Sequence, residues 1–381
     1  MTGRTAASFL AGVDRTRKTG SLSRRALVRA FALLGFPGVA AGVDGGGLAA
    51  IAARAGLRFG GAVRASSLGD AGLVELLRAN CASLTPELEM KWAALAPAPD
   101  AFDTGPADAI ASFARANGMR LRGHALLWHD SIPGWFDPSA GWAPVGRHIA
   151  RTVAHWKGLT TEWDVVNEPV APDGSGLRRG ALLDAFGPDY VERALRVARE
   201  ADPAAKLFIN EYDLEYETAE QAARRARLLS LVRSLRARRA PLDGIGIQGH
   251  LAVARGGFGA GLRDFMSALT DLGLRISVTE LDVKERDYVL PADQRDARVA
   301  DHTARFLELA LANRAVGSLS CWGLSDRQTW LQVTDGDRGR FPGAWTDGSS
   351  PGLNRGLPFD SSLRPKPMLD AIVRALKRRR R

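Results

Sequence analysis

The chain has 381 residues, 45% of them apolar and 25% charged, a composition that supplies a large core and excludes an intrinsically disordered protein. Its formal charge of +10 sits at the two ends. Residues 1 to 41 carry seven Lys/Arg against one Asp and the last five residues read "KRRRR", which leaves the stretch between them at about −1. A near-neutral body argues against nucleic acid as a partner, because that binding needs a basic face on the folded domain.

The first segment, "SLSRRALVRAFALLGFPGVAAGV", runs from an arginine pair (Arg24, Arg25) into an apolar stretch and then small residues. That order is expected of a secretory signal, and the pair resembles a twin-arginine signal, which carries folded proteins across the bacterial inner membrane. An arginine pair arising by chance in an Arg-rich chain is the alternative. Pro37 and the shortness of the stretch weigh against a membrane-spanning helix. The expectation is a signal over 1–41, an exported protein (periplasmic or secreted) without a membrane anchor, and one domain over 46–378.

From residue 46 onward, apolar runs of strand length recur: "LRFGGAV" (57–63), "CASLT" (81–85), "RLRGHALLW" (120–128), "EWDVVNE" (162–168), "KLFINEY" (206–212), "GIGIQGH" (244–250), "RISVTEL" (275–281) and "SLSCWGL" (318–324). Continuous apolarity fits strands covered on both faces, as parallel sheets require. Helical stripes lie between them: Leu73, Leu76 and Leu77 behind Asp70 as an N-cap, then Val191, Ala194, Leu195 and Ala198, then Leu228, Val232 and Leu235, and last Leu369, Ile372, Val373 and Leu376. Eight strands alternating with helices predict a (β/α)8 TIM barrel. An open doubly wound sheet would carry a Gly-rich turn after its first strand, and "GGAVRASSLG" has no GxGxxG. Long loops are expected over 129–147 and 331–356. Cys81 and Cys321 fit either a bridge or two buried thiols. The six histidines show no metal-ligand spacing, so neither a metal nor another cofactor is expected.

The strand ends carry Glu87, His124, Glu168, Asn210, Gln248, His250, Glu280 and Trp322. In a barrel these ends meet at one face, where active sites sit. Glu168 ends the fourth strand and Glu280 the seventh, so the two carboxylates face each other across the mouth. One carboxylate that protonates a leaving oxygen and another that attacks or activates water is the arrangement for glycoside hydrolysis. His250 neighbours the seventh strand and is placed to orient Glu280, with Asp282 holding His250 in turn.

"TPELEMKW", "GHALLWH", "WDVVNEP", "IGIQGH", "ISVTELDV" and "CWGLSDRQTWL", in this order over about 46–376, together resemble the family 10 glycoside hydrolases, chiefly endo-1,4-β-xylanases. The resemblance implies a retaining enzyme with Glu168 as general acid/base and Glu280 as nucleophile. It implies that Asn167 bonds the sugar 2-hydroxyl at the cleaved bond, with Gln248 and His250 lining the same subsite. Lys91, His124 and Trp128 would grip the sugar just before that bond, Glu87 one sugar further, and Trp322 and Trp330 would form an aromatic platform and lid. Trp163 is assigned to the core and Tyr212 to a supporting role. Two departures stand out: Leu88 where the family usually has Asn, which puts sugar preference in doubt, and Leu363 where relatives tend to carry Tyr. The expected partner is a polysaccharide, xylan, acted on by a monomer. The other readings are an endo-glycosidase for another β-linked glycan and an exported, non-catalytic sugar-binding barrel.

Overall fold

The structure is a computed structural model that describes residues 46–285, 290–331 and 354–379. The expected signal over 1–41 and most of the loop expected over 331–356 lie outside the described residues. Eight parallel strands form the centre: β1 (Arg58–Val63), β2 (Ser83–Pro86), β3 (Arg120–Gly123), β4 (Thr160–Asn167), β5 (Lys206–Glu211), β6 (Gly244–Ile247), β7 (Arg275–Lys284) and β8 (Val316–Cys321). Each pairs with the next, and β8 pairs with β1 as well as β7, which closes the sheet into a (β/α)8 barrel. α1 (Leu48–Arg54) precedes the first strand. The outer helices are α2 (Ala71–Asn80), α3 (Gly105–Ala116), α4 (Ala143–His155), α5 (Tyr190–Ala201), α6 (Ala219–Ala237), α7 (Ala260–Asp271), α8 (Ala292–Ala312) and α9 (Pro367–Arg379).

Helix starts follow from local chemistry. Asp70 caps α2, its carboxylate accepting from the backbone N–H groups of Gly72 and Leu73 at 2.9 and 3.1 Å. The apolar stripes anticipated in α2, α5, α6 and α9 are all buried against the barrel. Five of the helices named above carry no such anticipation, and α4 corrects the expected loop over 129–147, since it begins at Ala143. In α8 the apolar residues are diluted by charge, yet Val299, Thr303, Phe306, Leu307 and Ala310 fall on one buried face at helical spacing.

Two strands break off inside their apolar runs, and the chain then pairs again. β3 stops at Gly123 and the chain resumes pairing at Leu127–Trp128, opposite Val166 and Asn167. A Cβ on Gly123 would lie 2.1 Å from the Trp163 ring, so the glycine makes room for a fully buried tryptophan of the hydrophobic core. β6 stops at Ile247, Gly249 takes a left-handed φ of 77°, and His250–Ala252 then pairs with Asp282–Lys284 of β7. These breaks turn His124 and His250 from wall positions into the mouth.

Cys81 and Cys321 are both buried free thiols, and burial pushes Cys81 up to about 12. Leu363 is buried in the core. Among the described residues no helix is long and apolar enough to cross a membrane.

Candidate active site

The carboxyl ends of the strands surround a cleft of about 1410 Å³. Glu87 and Lys91 reach it from beyond β2, His124 and Trp128 from beyond β3, and Asn167 and Glu168 from the end of β4. Tyr212 follows β5, Gln248 and His250 follow β6, Glu280 and Asp282 lie on β7, and Trp322 and Trp330 follow β8. Every side chain singled out for the site therefore lines this one cavity. Trp163 is core, as its apolar neighbours suggest.

Glu280 is buried and hydrogen-bonded on both oxygens. Its Oε1 accepts from Asn210 Nδ2 at 2.6 Å, and its Oε2 accepts from His250 Nε2 at 3.1 Å. His250 Nδ1 donates to Asp282 Oδ1 at 2.8 Å, and the other Asp282 oxygen accepts from Trp330 Nε1 at 2.6 Å. Burial disfavours a positive His250, but the charge and bond of Asp282, joined by Glu280, hold its pKa well above the ordinary value. Each ring nitrogen thus faces a carboxylate oxygen. Burial also raises the Glu280 carboxyl, yet the charge of His124 and the bond and charge of His250 outweigh it and leave Glu280 below its ordinary value. An ionised carboxylate is thus maintained in a water-poor pocket.

Glu168 is built differently. It sits one residue beyond β4 with φ of 57°, a left-handed conformation that a non-glycine residue holds only where its surroundings impose it. Its backbone N–H donates to Asn210 O at 2.8 Å, and its carbonyl accepts from Arg178 Nε at 3.0 Å. The carboxylate Oε1 accepts from Asn167 Nδ2 at 3.2 Å and Gln248 Nε2 at 3.1 Å, and His129 Nδ1 lies 3.9 Å from Oε2.

Asn210 joins the two halves. Its Nδ2 donates to Glu280 and also to Asn167 Oδ1 at 2.8 Å, while its Oδ1 accepts from Thr279 Oγ1 at 2.7 Å. A three-bond relay therefore runs from Glu280 through Asn210 and Asn167 to Glu168. Asn210 was visible in the sequence as a strand end, but its linking role was not. Asp164 was visible too, as the acid interrupting an apolar strand; it accepts from His124 Nδ1 at 3.1 Å and from Arg122 Nε at 3.0 Å. Burial raises Asp164, and Arg122 and His124 bring it below its ordinary value. Arg178 and Arg64 left no periodic signal. Arg64 lies 2.5 Å from Glu87 Oε1.

On the opposite side of the cleft, the Lys91 ammonium stands 4.2 Å from the centre of the Trp128 ring. Burial lowers its pKa against the pull of Glu280, Glu87 and Glu168. Trp322 meets His124 edge-on at 5.2 Å, and Trp330 lies 5.1 Å from His250. Tryptophan faces beside polar donors suit a sugar, whose axial C–H bonds meet the ring while its hydroxyls turn to the polar groups.

The sequence matches the family model for glycosyl hydrolase family 10 over residues 47–375. The chain belongs to this family. An endo-1,4-beta-xylanase of Agaricus bisporus is 33% identical over 333 residues, covering 85% of this chain and 92% of the relative. A beta-1,4-xylanase of Dictyoglomus thermophilum is 36% identical over 268 residues, 67% of this chain and 74% of the relative. Among solved structures, xylanase 10B from Thermotoga maritima superposes with a TM-score of 0.76 at 31% identity, covering 88% of this chain and 99% of that one. The xylobiose complex of xylanase 10B from Thermotoga petrophila gives 0.77 at 30% identity, with 88% and 98% covered. In this family 10 glycoside hydrolase Glu168 and Glu280 line the same cleft.

The histidine behind Glu280 gives a pH test. In His250→Ala burial is less opposed, so the Glu280 carboxyl moves up and becomes protonated at a pH where the wild type is still ionised. The acid limb of kcat/KM against pH is expected to move to higher pH, with the plateau falling on the order of a hundredfold. A limb that stays in place, or moves to lower pH, contradicts the electrostatic role given to His250.

Proposed function

We propose that the protein is a retaining endo-1,4-β-xylanase. The observation that carries this is the unlike treatment of two carboxylates in one cleft: Glu280 buried and held ionised by histidines, Glu168 on a turn with its oxygens toward amide donors and the cavity. In the first step Glu280 attacks the anomeric carbon as the glycosidic C–O bond breaks, and the leaving oxygen takes the Glu168 proton. Water then attacks the glycosyl-enzyme ester, gives its proton to Glu168 and frees Glu280, so the anomeric configuration is restored. Asn167 is held by Asn210 and Gln248 within reach of the sugar 2-hydroxyl, where a bond strengthens as positive charge develops on the ring. The xylanase relatives and the xylobiose-bound Thermotoga petrophila neighbour support β-1,4-xylan as substrate.

One observation favours a second substrate. Leu88, 46% exposed, lines the cleft beside Glu87 and Lys91, where a polar side chain would bond a sugar hydroxyl. Another β-linked glycan is the alternative. Product release from xylan set against cellulose, mannan and mixed-linkage glucan separates the two.

The mechanism is tested with two variants. Glu280→Ala is expected to lose hydrolysis by at least about 10⁴-fold, and added azide to restore cleavage with an inverted glycosyl azide product. Glu168→Ala is expected to lose activity on xylan while retaining glycosylation by substrates whose leaving group needs no proton. Wild-type digestion of xylan by both variants contradicts the assignment.

The proposal extends to export by the twin-arginine route, supported by Arg24-Arg25 ahead of an apolar stretch, and to a monomer, supported by Leu88 in the cleft being the large apolar side chain exposed among the described residues. Replacing both arginines by lysine in the full chain, expressed in a bacterium with this pathway, is expected to leave the enzyme in the cytoplasmic fraction. Undiminished export of that variant removes the route, and sedimentation at a dimer mass removes the monomer.

A further inference from the structure

Beneath the turn that bears Glu168 lies a buried pair that does not line the cleft. Glu211 is 0% exposed and Arg224 1%, and their carboxylate and guanidinium approach to 2.5 Å. Burying two such groups is expensive, and well-packed apolar side chains of similar volume often stabilise a fold as much or more. Stability alone is therefore a poor reason for the pair.

Its hydrogen bonds give a better one. Glu211 Oε2 accepts from the Val170 backbone N–H at 2.9 Å, and Oε1 accepts from the Tyr212 N–H at 3.1 Å. Arg224 Nη1 donates to Ala171 O at 2.8 Å, and Nε donates to Tyr212 O at 3.2 Å. The Arg224 guanidinium also stacks 4.1 Å from the Tyr212 ring centre. Four backbone groups on two loops are thus held by one pair, and those loops bear Glu168 and Tyr212. Arg178 ties the loops together from above, donating to Glu168 O and to the Tyr212 hydroxyl at 2.7 Å.

We propose that the buried Glu211–Arg224 pair is the positioning element for Glu168, holding Val170 and Ala171 so that the left-handed residue Glu168 aims its carboxyl at the glycosidic oxygen. This rests on the reading of Glu168 as acid/base. Neither residue touches substrate; both act through the backbone of the turn. Burial pushes the Glu211 carboxyl up, while the Arg224 guanidinium and the Val170 and Tyr212 N–H groups pull it down, so its ionised form rests on the pair; the nearby Glu168 charge also raises it, which ties the pair electrostatically to the residue it positions. Apolar replacements of the same volume would fill the space without reproducing the four directional bonds.

The test is Glu211→Gln, in which either amide orientation turns a donor toward a donor. It is assayed on a xylo-oligosaccharide, whose leaving group needs a proton, and on a 2,4-dinitrophenyl β-xylobioside, whose leaving group does not. Rates are divided by competent sites, counted from the dinitrophenolate burst, so misfolded protein does not enter. A misplacement of Glu168 predicts kcat/KM on the oligosaccharide falling about 10- to 100-fold, with the activated substrate changed less than about threefold. Glu211→Asp, which keeps the charge and shortens the reach, is expected to show the same selectivity more weakly. An equal fall on both substrates, or no fall on either, overturns the proposal. Glu168→Ala on the same pair separates the failures. If it discriminates and the Glu211 variants do not, only the positioning role is lost; if it does not discriminate, the acid/base reading falls as well.

Discussion

The mouth of this barrel depends on keeping one carboxylate ionised where water is scarce. Burial works against the charge on Glu280, and His124, His250 and Asn210 answer it from three different places in the chain. None of the three is a sequence neighbour of Glu280. They meet because β8 pairs with β1 and closes the ring, and because β3 and β6 break early enough to turn His124 and His250 inward. Asp282 then fixes His250 by a second bond and is itself held by Trp330, so the charge rests on a chain of partners.

A second layer of charge lies beneath the first. Arg122 and Asp164 support His124 on one side, and Arg224 and Glu211 support the turn of Glu168 on the other. Buried pairs of this kind are costly as stabilisers and valuable as directional supports. Between the layers, Asn167 and Asn210 carry a continuous line of hydrogen bonds from one glutamate to the other. The carboxylates are therefore parts of one network, and displacing either disturbs the other.

Much of this was legible in the sequence, for identifiable reasons. Strands of a parallel barrel are buried on both faces, so they stand out as apolar runs, and polar residues that end them point to the mouth. That logic points to Glu168, Glu280 and His250, and Asp282 follows as a partner for His250. It failed where side-chain chemistry departed from periodicity. α8 hid its apolar face among arginines and aspartates, and α4 began inside an expected loop. The breaks in β3 and β6 rest on packing around Trp163 and on the φ of Gly249, which a string of apolar letters does not encode. Glu211 and Arg224 were missed because Asn210, one residue earlier, was read as the polar end of that strand and Arg224 is one of several arginines on α6, and only the folded chain brings the pair together.

The most direct measurement is chemical trapping of the nucleophile. A 2-deoxy-2-fluoro xylobioside with an activated leaving group slows both steps, and the second more, so that a covalent adduct accumulates and is located by peptide mass mapping. The account predicts one adduct per active chain, an ester on Glu280. An adduct on Glu168 or another residue, or turnover of the wild-type enzyme on xylan with no adduct formed, contradicts it.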